Sequence, residues 1–471
     1  MTSSSKNELQ QVLTSMKRAH LAQGPADLSL RQDRLLRCIN LVNNNRQQLI
    51  EAMKADFGHR SEYQSLVSDI ASTMKMLKHA YDNVEEWMKD TGVEAPEPGM
   101  QTRIQHQPLG VVGIISPWNF PINLAFGPLA GVFAAGNTAM LKPSELTPRT
   151  SELLAELVGA NFDPEELEVV LGDAKVGQAF SELPFDHLVF TGSTGVGKHV
   201  MRAAAENLVP VTLELGGKSP VMIDTDADIA RAVDKTLTVK TFNVGQICLS
   251  PDYVLLPEQV LTQFIDAAKA FTATAFPTML GNPDYTTIIS EKHYQRLMGL
   301  LQDAQEKGAQ IVSLAPEGEA SHDAATRTIA PHLVAGVTDD MQIMQEEIFG
   351  PLLPIKTYQD RLDAISYINA NAKPLAAYYF GLDEAKQQHF ADHTRSGGLV
   401  INDVMTHVTI DDLPFGGVGP SGMGAYHGEH GFKQFSHAKP VVIQSHDSAS
   451  STRLRAPYAE KQAALAASLN S

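Results

Sequence analysis

The spacing of hydrophobic and polar positions changes twice along this chain. From residue 6 to about residue 90 apolar side chains recur near helical spacing, as at Leu28, Leu30, Leu35, Leu36 and Ile39, which predicts helices. Gly24-Pro25 separates the first helix from a second that Asp27 is placed to cap. Residues 92–99 are too rich in Pro and Gly for regular structure, and 101–107 read as an exposed strand. From Gly110 short apolar runs alternate with helical stretches. The predicted strands are 111–116, 138–142, 168–171, 187–191 and 211–215, and 200–207 reads as a helix. The clearest helix is 148–159, with Thr147 as cap and Pro148 at its first position. Such alternation predicts an α/β fold with a mainly parallel sheet and right-handed crossovers. A second α/β series runs from near Pro220 to about Leu413. The polar, Ala-rich tail 448–471 is expected to be peripheral, and no internal repeat is visible.

Composition narrows this picture. A chain of 471 residues exceeds one ordinary core and predicts two or three domains. With 43% hydrophobic and 19% charged residues it is globular in character. The net charge of −17 repels nucleic acid and anionic membranes, so neither is expected as a partner. It does not forbid an anionic cofactor, because backbone N–H groups at a helix N-terminus bind phosphate without net positive charge. The two cysteines, Cys38 and Cys248, allow neither a disulfide framework nor a zinc cluster, so no metal is expected and a reducing compartment is. The N-terminus lacks the apolar core of a signal peptide. The most apolar stretch, 122–135, is interrupted by Asn123, Gly127, Pro128 and Gly131, and is shorter than the ~20 residues a bilayer requires. A cytoplasmic location is expected.

Three motifs carry the candidate chemistry. Phe190-Thr191-Gly192-Ser193-Thr194-Gly195-Val196-Gly197-Lys198 follows a predicted strand and opens a helix, a setting in which glycines let a pyrophosphate approach the backbone. The spacing also fits most of a P-loop, but the Ser or Thr that would hold Mg²⁺ is replaced by His199, which counts against nucleotide hydrolysis. The glycine spacing departs from the usual dinucleotide fingerprint, and such a turn is as often structural. An isolated cysteine is ordinarily a small buried hydrophobe, and Cys38, among Leu35, Leu36, Ile39 and Leu41, reads that way. Cys248 lies between Gly245-Gln246 and Pro251, a bend where backbone N–H groups can stabilise a thiolate. Glu214 ends an apolar strand before two glycines. A strand-end Glu is usually solvated, yet the carboxyl end of a parallel strand points into the crevice where α/β proteins bind ligands.

Six segments in one order carry a resemblance. Pro117-Trp118-Asn119-Phe120-Pro121, Lys142-Pro143-Ser144-Glu145, Phe190-Thr191-Gly192-Ser193, Glu214-Leu215-Gly216-Gly217-Lys218, Gly245-Gln246-Ile247-Cys248 and Glu347-Ile348-Phe349-Gly350-Pro351 resemble the aldehyde dehydrogenase superfamily, over residues 10–440. Ser250-Pro251-Asp252-Tyr253 and 413–419 are similar to its class 3 group, and 420–428 most resemble bacterial coniferyl aldehyde dehydrogenases.

The resemblance implies a role for each motif. Cys248 would form a thiohemiacetal with an aldehyde, and Asn119 with the backbone N–H of Cys248 would donate to the oxyanion. Hydride loss would leave a thioester, and Glu214 would act as general base on the water that hydrolyses it. Lys142 and Glu145 would hold the adenosine ribose, whereas without the family they are simply a charged loop. Glu145 would repel a 2′-phosphate, so NAD is favoured, although by turning away it would admit NADP. The turn Gly192, Ser193, Thr194, Gly195, Val196 and Gly197 would face the pyrophosphate. Glu347 would bind the nicotinamide ribose, and Phe349 would flank the ring or pack in the core. Phe120, Phe242, Ile247 and Leu249 flank these motifs in sequence and are expected to line an apolar funnel for an aromatic or medium-chain aldehyde, and the likeness to coniferyl aldehyde dehydrogenases points to a cinnamaldehyde type.

The implied architecture is a Rossmann-like cofactor domain (1–100 and 108–214), a catalytic α/β domain (215–413), oligomerisation strands (101–107 and 438–446) and a tail (447–471). A homodimer is expected, without the C-terminal membrane anchor of some class 3 enzymes. Two alternatives stand beside this reading: a non-catalytic relative of the same fold, and a P-loop hydrolase. Esterase activity would be a side reaction of the same thioester site.

Overall fold

The computed structural model describes residues 6–448 and 451–469. Residues 1–5 of the segment read for a signal peptide, and 449–450 and 470–471 of the tail, lie outside the described residues. The N-terminal region is helical, with Lys6–Gln23, Leu28–Asn44, Arg46–Phe57, Glu62–Ser65 and Ser72–Trp87, and a π-helical turn at Leu66–Ala71. Asp27 caps the second helix, its carboxylate accepting from Leu30 N at 2.9 Å. The helical rhythm there needs one correction. Leu36 is 43% exposed, and its neighbours Arg31 and Arg34 are buried instead. Their guanidinium groups are held by carbonyls, Arg31 on Ala26 (2.9 Å) and Ala134 (2.8 Å) and Arg34 on Asn137, and Arg34 also pairs with Glu166 at 3.0 Å. Such satisfied charges let a helix bury positions that a hydrophobicity pattern assigns to solvent.

The first large sheet has six strands, in the spatial order Gly422–Met423, Val211–Glu214, His187–Thr191, Val111–Ile115, Thr138–Lys142 and Leu167–Val169. All neighbours are parallel except Gly422–Met423, which pairs antiparallel with Val211–Glu214. The chain starts in Val111–Ile115, runs outward to Leu167–Val169, then returns to the other side of its starting strand. That reversal leaves a crevice at the carboxyl ends of Val111–Ile115 and His187–Thr191, the place where doubly wound sheets bind ligands. The apolar stretch of 122–135 forms the helix Asn123–Ala134, buried at every residue after Asn123 because it lies between this sheet and the N-terminal helices. No helix of the described residues is long and apolar enough to cross a membrane.

The helix after Lys142 is Pro148–Asn161, and its cap differs from expectation. Thr147 makes no side-chain capping bond. Asp56, from the helix Arg46–Phe57, instead accepts from Arg149 N (3.0 Å), Thr150 N (2.9 Å) and Thr150 Oγ1 (2.7 Å). The expected helix at 200–207 starts earlier and spans Thr194–Ala205.

The second sheet has seven strands, Gln310–Ser313, His332–Ala335, Leu352–Tyr358, Pro251–Pro257, Ser219–Ile223, Ala376–Phe380 and Gly398–Ile401 in spatial order. Only Gln310–Ser313 is antiparallel to its neighbour. A third, exposed sheet joins Gln101–Pro108 to Ser436–Ile443 over eight registered pairs, with Thr91–Val93 on its other side. The 92–99 break is therefore shorter than its Pro and Gly content suggests, because Thr91–Val93 finds a partner strand. In the tail the helix Ala459–Ser468 buries no residue.

Candidate active site

Cys248 sits at the end of a strained turn. The helix Ile229–Thr241 gives way to a 3₁₀ turn, Phe242–Gly245, in which Asn243 (φ 46°) and Val244 (φ 54°) are left-handed. Gly245 follows at φ 70°, and the carbonyl of Gly350 occupies the space a Cβ would need. Buried amides hold this conformation. Gln246 Nε2 donates to Asn243 O (3.1 Å) and Thr287 O (3.2 Å), while Asn243 N donates to Gln64 Oε1 at 2.9 Å. The chain then enters Pro251–Pro257, so the thiol stands at the amino end of a central strand of the second sheet.

Burial pushes the Cys248 thiol up to about 12, with the carboxyl groups of Glu347 and Glu214 adding to the effect. The backbone N–H groups of Cys248 and Leu249 pull the other way, as a thiolate-stabilising bend requires, but desolvation outweighs them. The expectation of a stabilised thiolate is corrected accordingly: the resting group is a neutral thiol. Cys38 is fully buried in the helix Leu28–Asn44, the inert role its sequence indicates.

Glu214 ends the strand Val211–Glu214 and is buried, not solvated. Burial raises its carboxyl well above the usual range, and neither carboxyl oxygen has a hydrogen-bond partner among the described residues. An unpaired buried carboxyl of this kind is a group prepared for a ligand or water.

Asn119 is buried and its Nδ2 donates to Gln246 O at 3.2 Å, which ties it to the cysteine loop. A buried ion pair fixes it from below. Arg60 donates to Asn119 O (2.8 Å) and to Asp69 Oδ2 (2.7 Å), and both partners have fully buried side chains. Asp69 Oδ1 in turn accepts from Ile122 N (3.0 Å) and Asn123 N (3.2 Å), at the start of the next helix.

The glycine turn leaves the crevice of the first sheet. Ser193 caps the helix Thr194–Ala205 through a contact with Val196 N at 3.5 Å. Gly195 and Val196 are exposed, and a Cβ at Gly195 would meet nothing within 4 Å, so that backbone face is open. Gly197 is buried against Leu215, and Thr194 Oγ1 donates to Pro420 O at 3.1 Å. Lys142 is buried, donating to Pro143 O (3.0 Å) and Glu145 Oε2 (3.2 Å). Glu145 is exposed and borders a separate groove of about 630 Å³. Glu347 lies against Gly216, whose missing Cβ makes room for the carboxyl, and burial pushes that carboxyl up to about 8. Phe349 adopts φ 48° and is only half-buried, with its ring edge-on to Trp118 at 5.4 Å, so it is no ordinary core residue.

One cavity of about 290 Å³ joins Cys248, Glu214, Asn119, Gly192, Ser193, Glu347 and Phe349. A second, of about 180 Å³ and mostly apolar, also borders Cys248 and includes Phe120, Phe242, Ile247 and Leu249. Cys248, Glu214, Thr191 and Leu124 border both. Lys142, Thr194, Gly195, Val196 and Gly197 border neither. Sequence reasoning missed Tyr426, His427 and Met76 in the second cavity, and His293 and Arg296 in the first. Arg296 holds the 346–348 segment, donating to the Glu346 carboxylate at Oε1 (3.0 Å) and to the carbonyls of Glu347 (3.3 Å) and Ile348. Met76, His293 and Arg296 carry no local signal, since each reaches the site from a helix remote in sequence, whereas Tyr426 and His427 lie in the 420–428 segment that carries the resemblance without having been assigned a role. No cluster of three or more potential metal ligands occurs among the described residues.

A doubly wound sheet facing a second α/β sheet, with an accessible thiol between, defines an α/β enzyme with a cofactor crevice. The aldehyde dehydrogenase family model matches residues 1–441, and the chain belongs to that family. It is an NAD(P)-dependent aldehyde dehydrogenase. A coniferyl aldehyde dehydrogenase of Pseudomonas sp. (strain HR199 / DSM 7063) is 56% identical over 453 residues, covering 96% of this chain and 94% of that protein. A dimeric, NADP-preferring aldehyde dehydrogenase of Canis lupus familiaris is 36% identical, covering 89% and 90%. Among solved structures, the substrate-bound Staphylococcus aureus AldH aligns with a TM-score of 0.92 at 38% identity, covering 98% of this chain and 99% of that one. An indole-3-acetaldehyde dehydrogenase mutant of P. syringae, in complex with NAD+ and IAA, aligns at 0.86 with 26% identity, covering 94% and 90%.

Proposed function

We propose that Cys248 is the nucleophile of this aldehyde dehydrogenase, Asn119 its oxyanion donor and Glu214 the base of hydrolysis. One observation carries the reading: Cys248 and Glu214 border both the crevice-side cavity and the apolar one. The sulfur loses its proton to solvent and bonds to the aldehyde carbon, and the amide of Asn119 donates to the oxygen that becomes negative; losing one such donor typically costs ~10²–10³ in rate. Loss of hydride from that carbon leaves a thioester. The bound nicotinamide cofactor supplies the hydride acceptor. Glu214 then takes a proton from the water that attacks the thioester, releasing the carboxylic acid and restoring the thiol.

The residues suit a dinucleotide: an open glycine turn at a helix start, a crevice at the strand reversal, and the carboxyl of Glu347 in the same cavity. Gly192, Ser193, Thr194, Gly195, Val196 and Gly197 are assigned to the pyrophosphate, Lys142 and Glu145 to the adenosine ribose, and Glu347 and Phe349 to the nicotinamide end. Glu145 favours NAD over NADP. Residues 1–100 and 108–214 form the cofactor domain, 215–413 the catalytic domain, and 101–107 with 438–446 the oligomerisation strands of a cytoplasmic homodimer. An aromatic aldehyde of coniferyl type is favoured over a medium-chain one, supported by the name of the Pseudomonas relative and by the apolar cavity wall.

Cys248→Ala is expected to abolish NADH production from any aldehyde, and steady turnover by that variant would remove the nucleophile. Glu214→Gln is expected to release one NADH per site in a burst and then stall, which stopped-flow absorbance resolves. An unslowed steady state would transfer the base role elsewhere.

A further inference from the structure

Among the polar residues that line the apolar cavity beside Cys248, Ser72 and Asn123 are hydrogen-bonded to one another and take no part in the reaction. Ser72 borders both that cavity and an outer groove of about 250 Å³ that continues from it past Val67, Met76 and Val408. Asn123 borders the inner cavity beside Ser72.

A third residue decides where the hydrogens lie. Thr73 Oγ1 gives its only hydrogen to Asp69 O at 2.5 Å, so it can only accept from Asn123, 3.2 Å away. This orients the amide with its nitrogen toward Thr73. The same nitrogen donates to Ser72 Oγ at 3.2 Å, and the sulfur of Met76 at 3.7 Å is a weak further contact. The Ser72 hydroxyl, already accepting, is left with a hydrogen that no described residue accepts. Asn123 Oδ1 is left without a donor. Asn123 Oδ1 is open to the cavity, since it has no donor and yet is not among the buried polar atoms without partners, and Ser72 lines both the cavity and the outer groove. The other hydroxyls nearby are committed, Ser68 to Gln64 O at 2.6 Å and Thr409 to Thr406 O at 2.8 Å. Tyr426 is within electrostatic reach of Glu214 and Cys248.

We propose that Ser72 and Asn123 are a specificity-determining pair that reads a neutral oxygen substituent, above all a phenolic hydroxyl, on the ring of an aryl aldehyde whose carbonyl is at Cys248. A phenol accepts from Ser72 and donates to Asn123 Oδ1, using both free valences at once. A methoxy group uses one, and a methyl group none. An anionic substituent is disfavoured, because it has no hydrogen for Oδ1. The helix N-terminus beside it is already occupied by Asp69, and Lys75 at the mouth is paired with Asp411 at 2.9 Å. This proposal rests on the reading that Cys248 takes its aldehyde from this cavity.

The test compares kcat/KM at pH 7 for cinnamaldehydes carrying a 4-hydroxy, 4-methoxy or 4-methyl group. Wild-type protein is expected to follow that order, with about tenfold between hydroxy and methyl, the size of one to two net hydrogen bonds. Ser72→Ala and Asn123→Ala should each cut the hydroxy-to-methyl ratio by about threefold. A wild-type ratio near one overturns the pair without any variant having to fold. So do variants in which both substrates decline together and the ratio stands. Octanal and unsubstituted cinnamaldehyde, assayed in parallel, separate the two readings. No NADH from any aldehyde sinks the underlying reaction, whereas turnover without preference sinks only the pair.

Discussion

At the scale of single residues, the chemistry depends on charges that the fold suppresses. Burial disfavours the charged form of Cys248, with the carboxyl groups of Glu347 and Glu214 adding to the effect, and burial likewise raises the carboxyls of Glu214 and Glu347 above their usual range. Entry of a polar ligand beside them is then the event that lowers the cost of charge. A raised thiol pKa means the reactive thiolate grows as pH rises. Alkylation of Cys248 by iodoacetamide, without cofactor, is therefore expected to accelerate about tenfold per pH unit between pH 7 and 9. Mass spectrometry of the modified peptide reads this directly, and a rate already level by pH 8 would contradict a thiol near 12. Cys38, fully buried, should stay unmodified while the protein is folded.

At the scale of elements, functional loops are held by side chains from distant helices. Asp56 caps the helix that follows Lys142 and Glu145, and Gln64 holds the left-handed turn before Cys248. Both come from the N-terminal helical region, as does the Arg60–Asp69 pair under Asn119. Asp56→Ala is expected to lower the stability of the protein by about 1 kcal/mol, the usual value of a lost N-cap. A urea unfolding midpoint that does not move would return the capping role to Thr147. Thr147 was the natural choice from sequence, since it directly precedes Pro148. A cap supplied across 93 residues of chain leaves no local trace.

At the scale of the whole molecule, two α/β sheets meet so that carboxyl ends of the first face amino ends of the second, and the reactive groups come from both sides of that seam. No residue of the exposed three-stranded sheet borders either cavity at Cys248. That sheet's strand Ser436–Ile443 has an edge that no strand of the described residues pairs and carries Val442 and Ile443 at 61% and 48% exposure, an edge of the kind proteins usually cover. Light scattering is expected to give twice the 51.1 kDa chain mass, and Val442→Glu to shift it toward the monomer. A monomeric wild-type protein would end the assignment of these strands to a dimer contact.

Much of this was legible in order along the chain. The parallel strands and the glycine turn follow from local patterns, whereas the role of Asn119 and the joint reading of Glu214 and Cys248 rest on the resemblance of ordered motifs to a family. Each local pattern is a short-range steric or periodic requirement, and those survive being written as a string. Tertiary structure alone decided the protonation of the thiol, the cap on Pro148–Asn161, the burial of Arg31 and Arg34, and the hydrogens at Ser72 and Asn123. These depend on desolvation and on partners brought from far along the chain, and neither quantity exists until the chain has folded.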